Sequence, residues 1–155
     1  MQRGVELRKS WGRHERLSVE AALTISPERR RVGLYFRIHS HNIRFRQTME
    51  FITLVHRHLR RKFILVLDRL NVHRKAVRLL LEKHPDWFEP AWLPAYAPEL
   101  NPVEQVWNRS KYSHLANFIP HDIDHLECEL DDSLQRQRSA TVLLRGFFKH
   151  AGLSL

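Results

Sequence analysis

A chain of 155 residues with 43% hydrophobic residues is long enough to bury one core and short for two domains of ordinary size. Its single cysteine, Cys128, excludes a disulfide framework and a cysteine-based zinc site within the chain. No apolar run approaches the roughly 18 residues of a membrane span, and the N-terminus has no signal-type apolar run. We therefore expect one cytoplasmic domain over residues 1–155, without a membrane partner.

The net charge of +9 is concentrated in the N-terminal part of the chain. Residues 1–62 hold 15 Lys and Arg against 5 Asp and Glu, a net of +10, whereas residues 63–155 hold 11 against 12, a net of −1. Such an excess favours a polyanionic partner, because each neutralised phosphate releases counterions. Solvated strand and helix faces explain a generic basic stretch equally well, so charge alone does not identify the partner.

Two strands joined by a turn are predicted near the start of the chain. Residues 17–25 and 32–38 are β-branched-rich or alternating runs, and the Ser-Pro-Glu sequence between them is typical of a turn. Residues 48–59 then carry apolar side chains at helical spacing, with arginines near the C-terminal end, where cations suit the helix dipole. We therefore expect an antiparallel hairpin followed by a helix.

The next segment predicts a parallel α/β arrangement. Residues 63–67 form an apolar run typical of a strand buried on both faces of a sheet, and Asp68 stands at its end. Residues 73–84 indicate an amphipathic helix, and residues 87–93 indicate another strand. Ligand sites form at the carboxyl ends of strands in such sheets, so Asp68 occupies a candidate position.

A proline-rich loop precedes the last predicted helices. Pro94, Pro98 and Pro102 limit the conformations of the loop, which can then deliver the residues that follow to a defined place. Asn101 is a good N-cap and Pro102 a good first helical residue, which puts Glu104 in the first turn of a helix. Two further helices are expected downstream, at about 122–136, which is strongly acidic, and 139–150.

Asp68 and Glu104 are candidates for a pair of metal-binding carboxylates. Phosphodiester cleavage needs an activated water and a stabilised leaving oxygen, and two divalent cations about 3.5–4 Å apart can supply both. Hard cations such as Mg²⁺ require oxygen ligands. Each residue also has a simpler explanation: Asp68 as a turn or capping residue after a strand, and Glu104 as a first-turn glutamate that complements the helix dipole.

Two sequence blocks resemble the catalytic core of a known family. The block LVLDRLNVHR contains an apolar strand that ends in Asp68 and is followed by Asn71 and His73. The block LPAYAPELNPVEQVW spans residues 93–107 and contains Glu104. In this order and spacing they resemble the insertion-sequence 630 family of bacterial transposases, which are mariner-like members of the DDE endonuclease superfamily.

The resemblance implies an RNase H-like α/β fold, in which a mixed sheet is flanked by helices, and a DNA-cleaving transposase domain. It implies that Asp68 is the second and Glu104 the third catalytic and metal-binding acid, with two Mg²⁺ or Mn²⁺ ions in a complete site. It also implies that DNA, as element ends and target, is the substrate of hydrolytic nicking and strand transfer. The residues expected to shape the site are Asn71, His73, Pro94, Tyr96, Pro98, Asn101 and Pro102.

The first catalytic acid of the family is missing from this sequence. No Asp precedes Asp68, although residues 10–13 (SWGR) resemble the segment that follows the first Asp in the family. We therefore expect an N-terminally truncated domain without its first strand and without a helix-turn-helix DNA-binding region. Such a chain should be inactive alone, because one of three metal-binding carboxylates is absent. A separately encoded N-terminal fragment or a homodimer would be its protein partner, and the bacterial nucleoid its location.

Several residues keep two interpretations. His73 either faces the site or DNA or is an exposed residue at the start of a helix, and Asn71 either orients a water or, as we favour, caps that helix. Tyr96 and Trp107 are interpreted as packing residues and not as base-stacking platforms.

Phosphates are expected to contact the basic part of the chain, largely independently of DNA sequence. The residues assigned to this contact are Arg29, Arg30, Arg31, Arg44 and Arg46. Two other functions compete with transposition: a non-catalytic DNA-binding or assembly remnant of a transposase, and another RNase H-like nuclease. The proline-rich block argues against the second of these.

Overall fold

The computed structural model describes residues 3–5 and 16–153, which form a mixed α/β architecture of two small sheets and five α-helices. In chain order its elements are β1 Arg3–Val5, β2 Leu17–Ile25, β3 Val32–His39, α1 Phe45–Leu59, β4 Phe63–Leu67, α2 Asn71–Lys83, β5 Phe88–Trp92, α3 Val103–Arg109, α4 Ile123–Ser139 and α5 Thr141–His150. This architecture is compatible with the RNase H-like fold expected from the sequence.

The described residues divide into two compact units. The central unit is the continuous stretch 43–97, and the split unit combines residues 3–5 and 16–42 with residues 98–153. The central unit therefore contains α1, β4, α2 and β5, and the split unit contains the remaining strands and helices. The expectation that residues 1–155 act as a single domain stays a prediction.

The central unit is built on a parallel strand pair. β4 and β5 pair from Phe63 opposite Phe88 to Leu67 opposite Trp92, and α2 connects them. A parallel pair needs a crossover of this kind, because the second strand must start at the same end of the sheet as the first. The carboxyl ends of both strands consequently lie at one end of the central unit.

Amphipathic helices supply the core of the central unit. Ile52 of α1, Leu67 of β4, Val77 and Leu80 of α2, and Phe88 of β5 form one buried cluster. Full burial of side chains of this size stabilises a fold by about 1.5–3 kcal/mol each. The cluster joins all four elements of this unit, so its strands and helices depend on one another.

β4 buries only one of its two sides. Phe63, Leu65 and Leu67 belong to the apolar cluster or pack against it, whereas Ile64 is 69% exposed and Val66 is 54% exposed. Side chains alternate between the two faces of a strand, which explains this division. The expectation that the strand is buried on both faces is therefore wrong for one face.

The split unit contains an antiparallel sheet in the order β1-β2-β3. β2 is the middle strand, and it pairs with β3 from Ser18 opposite His39 to Ile25 opposite Val32. Its first residues are buried on both faces, which includes Glu20 at 1% exposure. The Glu20 carboxylate lies 3.0 Å from His39 Nε2, and this buried partner offsets the cost of removing a charged group from water.

Three helices complete the split unit. α4 and α5 pack against β3, and α3 contacts β2 and α5. Leu130 and Leu134 of α4 and Leu144 of α5 are fully buried, while the acidic residues of α4 lie mainly on its exposed side. Asp122 caps α4 by accepting a hydrogen bond from the His125 N–H at 2.7 Å.

The types and order of the expected elements are confirmed, with small shifts at their ends. The hairpin strands and β4 begin at the expected residues, whereas α1 and α2 begin earlier than expected. At the start of α1 the Arg44 N–H donates to Gln47 Oε1 at 3.1 Å, a contact that the apolar spacing alone does not reveal. None of the helices in the described ranges combines the length and apolarity that a membrane span requires.

The packing of α4 predicts a large loss of stability when Leu134 is shortened. Leu134 is 0% exposed, and replacing a buried Leu with Ala typically costs about 2–5 kcal/mol through lost burial and the cavity that remains. We expect Leu134→Ala to lower the urea midpoint of unfolding by a corresponding amount. Val142→Ala is the matched control, because Val142 is 84% exposed and surface changes usually stay within about 0.5 kcal/mol. Equal midpoints for the two variants would contradict this packing.

Candidate active site

Asp68 lies at the carboxyl end of β4, where the backbone is tied to the end of β5. The Leu93 N–H donates to the Leu67 carbonyl at 2.8 Å, and Arg69 Nε donates to the Leu93 carbonyl at 3.2 Å. The first bond extends the backbone pairing by one residue past the parallel ladder, and the second adds a side-chain link between the two strand ends. Asp68 is therefore held by regular structure on a fixed backbone.

One oxygen of Asp68 receives both of its hydrogen bonds. The Leu70 N–H donates to Oδ1 at 3.3 Å, and His73 Nδ1 lies 2.5 Å from the same oxygen. Because an ionised carboxylate can only accept, the shared hydrogen belongs to His73 Nδ1. No group within residues 3–5 and 16–153 donates to Oδ2, and the side chain is 34% exposed. In Asp68, two hydrogen bonds therefore orient Oδ1, and Oδ2 is left available in a partly exposed side chain.

The surroundings of Asp68 favour its ionised form. Partial burial by itself raises the pKa of Asp68, but the hydrogen bond and charge of His73, together with the Leu70 N–H, lower it more. The pKa therefore lies below its ordinary value of 3.8. A carboxylate that stays charged across the physiological pH range suits a cation ligand.

His73 is buried, at 1% exposure, in the first turns of α2. The interpretation of His73 as an exposed residue is therefore wrong, and the alternative that it faces the candidate site is the better description. Its second ring nitrogen, Nε2, is also buried and has no hydrogen-bond partner among the described residues. The ring is fixed by packing on one side and by Asp68 on the other.

Asn71 does not cap α2. The helix begins at Asn71 itself, with Leu70 in the capping position and no side-chain cap. Asn71 is exposed at this end of the unit, close in sequence to Asp68. The expected capping role is wrong because Asn71 is already the first residue of the helix and lies after the capping position.

The end of the central unit that carries Asp68 is rich in positive groups. α2 starts there, and α1 also starts there because a short connection turns it back into β4. Lys75 Nζ lies 4.0 Å from the centre of the Phe45 ring, which links the first turns of the two helices. Arg44 and Arg46 are exposed at the start of α1. Two helix N-termini and several cations thus surround this end.

The proline-rich loop contributes residues to both units. In the central unit, Pro94 is exposed, and Tyr96 is fully exposed with a φ of 59°. The packing interpretation is consequently wrong for Tyr96, whereas Trp107, which is 5% exposed, confirms it. A left-handed backbone is uncommon for a residue with a large side chain.

Within the split unit, the loop leads directly into α3. Pro98 begins a 3₁₀ turn, and buried Asn101 accepts the Val103 N–H at 3.3 Å through its side chain. Asn101 therefore accepts a hydrogen bond at the start of the helix, but Pro102 occupies the capping position and the helix begins at Val103, one residue later than expected. Glu104 lies in the first turn, as the sequence predicts, and the structure shows that it is half-buried.

A buried polar network fixes the helix that carries Glu104. α3 continues into a π-helical turn, Ser110–His114, a feature that is frequent at functional sites. Gln137 of α4 donates to Ser110 Oγ at 2.8 Å, and Ser133 Oγ lies 3.0 Å from Ser110 Oγ and 2.7 Å from His114 Nδ1. Burial and the nearby arginines lower the pKa of His114. The network ties α3 to α4 and limits rotation of α3.

The three hairpin arginines lie in the turn between β2 and β3. Ser26 closes this turn, because its hydroxyl accepts the N–H groups of Arg30 and Arg31 at 3.2 and 3.1 Å. Arg29 has a φ of 55° and Arg145 donates to the Arg30 carbonyl, so the turn has a defined shape. All three side chains are exposed.

The structure brings the site residues of each unit together. In the central unit these are Asp68 and His73 with Asn71 nearby in sequence, and in the split unit they are Asn101, Pro102 and Glu104. Within residues 3–5 and 16–153, no group of three or more His, Cys, Asp or Glu side chains is arranged to hold a metal ion. Residues 10–13, which resemble the family segment after the first Asp, lie outside the described residues.

Asp68 thus lies where ligand sites form in parallel α/β sheets, and carboxylate oxygens are the ligands that hard divalent cations prefer. A family model described as DDE superfamily endonuclease matches residues 2–127. The chain belongs to this family, whose members generally use divalent metal ions. A search of curated proteins gave no match.

The Asp68–His73 contact predicts the behaviour of the site in acid. Because the pKa of Asp68 is depressed in the folded protein, its ionisation stabilises the fold above the unfolded value of about 3.9. That contribution is lost as the pH falls through the folded-state pKa. Replacing His73 with Phe keeps a buried ring but removes the donor, so we expect the pKa of Asp68 to rise and the acid dependence of stability to flatten.

Carbon-detected NMR titration of the Asp68 carboxyl group measures this change, and urea unfolding at several acidic pH values measures its effect on stability. His58→Phe is the control, because His58 is an exposed histidine of the same unit. A depressed Asp68 pKa in the His73→Phe variant would contradict the assignment.

Proposed function

We propose that this chain is the nuclease domain of a transposase of the insertion-sequence 630 type and that Asp68 and Glu104 are two of its three metal-binding acids. The observation that carries the proposal is the ionised Asp68 at the carboxyl end of β4, in a chain that belongs to the DDE superfamily endonucleases. The reaction would be metal-dependent hydrolysis of a DNA phosphodiester bond, followed by strand transfer.

The residues around Asp68 fit a divalent cation. Mg²⁺ and Mn²⁺ prefer oxygen ligands, and Asp68 keeps Oδ2 accessible while Leu70 and His73 orient Oδ1. A bound ion would activate water and stabilise the negative charge that develops at the phosphate. In this arrangement His73 positions the carboxylate and is not itself a ligand.

Glu104 is proposed as the metal-binding partner of Asp68, the third acid of the family, because of its motif and its local structure. It follows the capped start of α3, and the network of Ser110, Ser133 and Gln137 fixes that helix from the other side. A ligand is most effective when the groups behind it are held in place, because little order is then lost on binding. The remaining loop residues would shape the approach to this helix.

DNA phosphates are the proposed partners of the positive groups near Asp68. Cations at a helix N-terminus oppose the helix dipole, typically by about 0.3–1 kcal/mol. Arg44 and Arg46 occupy that position in α1, whose first turn contains no acidic residue. A phosphate bound at the same place would offset the repulsion, because both the dipole and the arginines attract it.

This chain is proposed to be inactive by itself. β1 has the sequence Arg-Gly-Val, and no Asp precedes Asp68, so the family's first acid is not supplied by these residues. Residues other than these would have to supply the first acid. The missing acid also favours a second candidate function, a DNA-binding or assembly module that performs no chemistry.

Metal binding at Asp68 distinguishes the two candidates. We expect Mn²⁺ to broaden the NMR signals of residues next to Asp68, and we expect Asp68→Asn to weaken this effect by about tenfold or more, because affinity follows the charge of the ligands. Asp86→Asn is the matched control, since Asp86 is an exposed aspartate of the same unit. Glu104→Gln should likewise reduce broadening near α3.

Broadening that is unchanged in Asp68→Asn would contradict the ligand role of Asp68, and the non-catalytic module would then be the better description. Nicking of supercoiled DNA provides a second readout. Magnesium-dependent nicking by this chain that disappears in Asp68→Ala would contradict only the proposed inactivity.

The hairpin turn predicts a salt-dependent contribution to DNA binding. Replacing Arg29, Arg30 and Arg31 with Ala removes three exposed cations from a turn whose shape depends on Ser26 and backbone contacts. Each lost phosphate contact lowers the slope of log affinity against log salt by about 0.9. Fluorescence anisotropy with labelled duplex DNA over a salt series measures this slope. A slope equal to that of the unmodified chain would exclude the turn from the DNA contact.

A further inference from the structure

The end of the central unit opposite Asp68 carries a second group of cations. It contains the C-termini of α1 and α2 and the starts of β4 and β5. Five exposed cations lie there, which we call the basic end: Arg57, Arg60, Arg61, Lys62 and Lys83. A strand rises about 3.3 Å per residue, so the backbone of β4 separates this end from Asp68 by about 16 Å. One phosphate cannot contact both places.

The cations of the basic end do not form ion pairs within the part of the chain that the structure describes. None of the five forms an ion pair with a residue in the ranges 3–5 and 16–153. Of the carboxylates near this end, Glu82 is paired with Arg78 at 3.9 Å. Asp86 and Glu89 remain, so the end keeps a clear positive excess. Unpaired exposed cations of this density attract polyanions.

A stack of three rings makes this end a fixed surface. The Trp87 ring lies between His84, with ring centres 3.8 Å apart, and His56, with ring centres 4.3 Å apart. The interplanar angles are 4° and 9°, so the three rings are nearly parallel. His56 belongs to α1 and His84 ends α2. The stack therefore joins both helix ends to the segment that enters β5.

The helix dipole does not account for all of these cations. Arg57 and Lys83 lie in the last turns of α1 and α2, where cations are favourable without any partner. Arg61 and Lys62 lie after the last turn of α1, in the connection to β4. Arg60 ends α1 with a φ of 52°, a conformation that glycine adopts without strain. An arginine at this position needs another explanation.

We infer that the basic end is a second contact surface for duplex DNA, separate from the Asp68 end, so that the central unit binds phosphates at both ends of its sheet. This inference rests on the proposed function and adds the location of a second DNA segment. The acidic face of α4 in a second copy of the chain is the competing partner. DNA is favoured because every copy carries a net charge of +9, so copies repel one another at long range.

The test compares variants of the full chain by fluorescence anisotropy with labelled duplex DNA over a salt series. Replacing Arg57, Arg61 and Lys62 together with Ala should lower the salt slope by about 0.9 per contact, which corresponds to about eightfold in affinity per contact at 0.1 M salt. Arg78→Ala is the matched control, because Arg78 is an exposed cation of the same unit outside both ends. Arg44→Ala with Arg46→Ala reports separately on the Asp68 end.

Arg60→Gly separates DNA binding from a structural role. It removes a cation and also relieves the left-handed backbone, so thermal stability should be unchanged or higher while DNA affinity falls. Unchanged DNA affinity, whatever the change in stability, would mean that Arg60 only ends the helix and makes no DNA contact.

The outcomes decide between the proposals. A triple variant that remains folded by circular dichroism and binds DNA like Arg78→Ala overturns the second surface. If Arg44→Ala with Arg46→Ala still weakens binding in that case, the proposed function survives. A triple variant that changes sedimentation behaviour without changing DNA affinity identifies a second copy as the partner and also overturns the inference. A full chain that binds no duplex DNA overturns both proposals.

Discussion

Parallel pairing of β4 with β5 determines which chemical groups meet at each end of the central unit. Two parallel strands share one carboxyl end, and the helix between them must begin where the first strand finishes. This constraint places Asp68, the start of α2 and the start of α1 together. It also collects the helix C-termini and their cations at the other end. The apolar cluster around Ile52 and Phe88 maintains this arrangement.

The state of Asp68 follows from where β4 leaves it. A carboxylate at a strand end is partly buried, which alone would favour the neutral acid. His73, in the first turn of α2, reverses this preference and favours the ionised acid. Its ring donates a hydrogen bond to Oδ1, the same oxygen that accepts the Leu70 N–H. The short connection between β4 and α2 thus supplies both the orientation of the carboxylate and its charge. Glu104 is positioned in another way. The Asn101 side chain accepts a hydrogen bond at the start of its helix, and a polar network that includes Ser110 and Gln137 fixes the end of that helix.

The sequence predicts elements more reliably than the environments of individual residues. Periodicity locates β4 and the helices, because a repeating apolar pattern is a property of many residues together. It does not show that Ile64 and Val66 are exposed, since a continuous apolar run looks the same whether one face or both are covered. The presence of Asp68 and Glu104 at a strand end and in a first helical turn is predictable from their motifs.

Contacts of single side chains are harder to predict. The burial of His73 and its bond to Asp68 depend on the angle between β4 and α2, although the spacing of five residues was a usable signal. The roles expected for Asn71 and Tyr96 are wrong because the exact first residue of a helix and a left-handed backbone are set by tertiary contacts. The sequence relates the arginines that end α1 to the helix dipole alone, since it does not show which carboxylates lie nearby.

The division into a continuous and a split unit has a consequence for folding. The contacts that define the central unit join residues within the continuous stretch 43–97, so they can form once that stretch has left the ribosome. The split unit joins residues 16–42 to residues 98–153, and these contacts close a long loop. Closure over longer chain separations slows folding. During synthesis, the hairpin of β2 and β3 is therefore made before the helices that pack against it. The core-facing side chains of Leu17, Val19 and Leu34 stay uncovered until the last third of the chain is made.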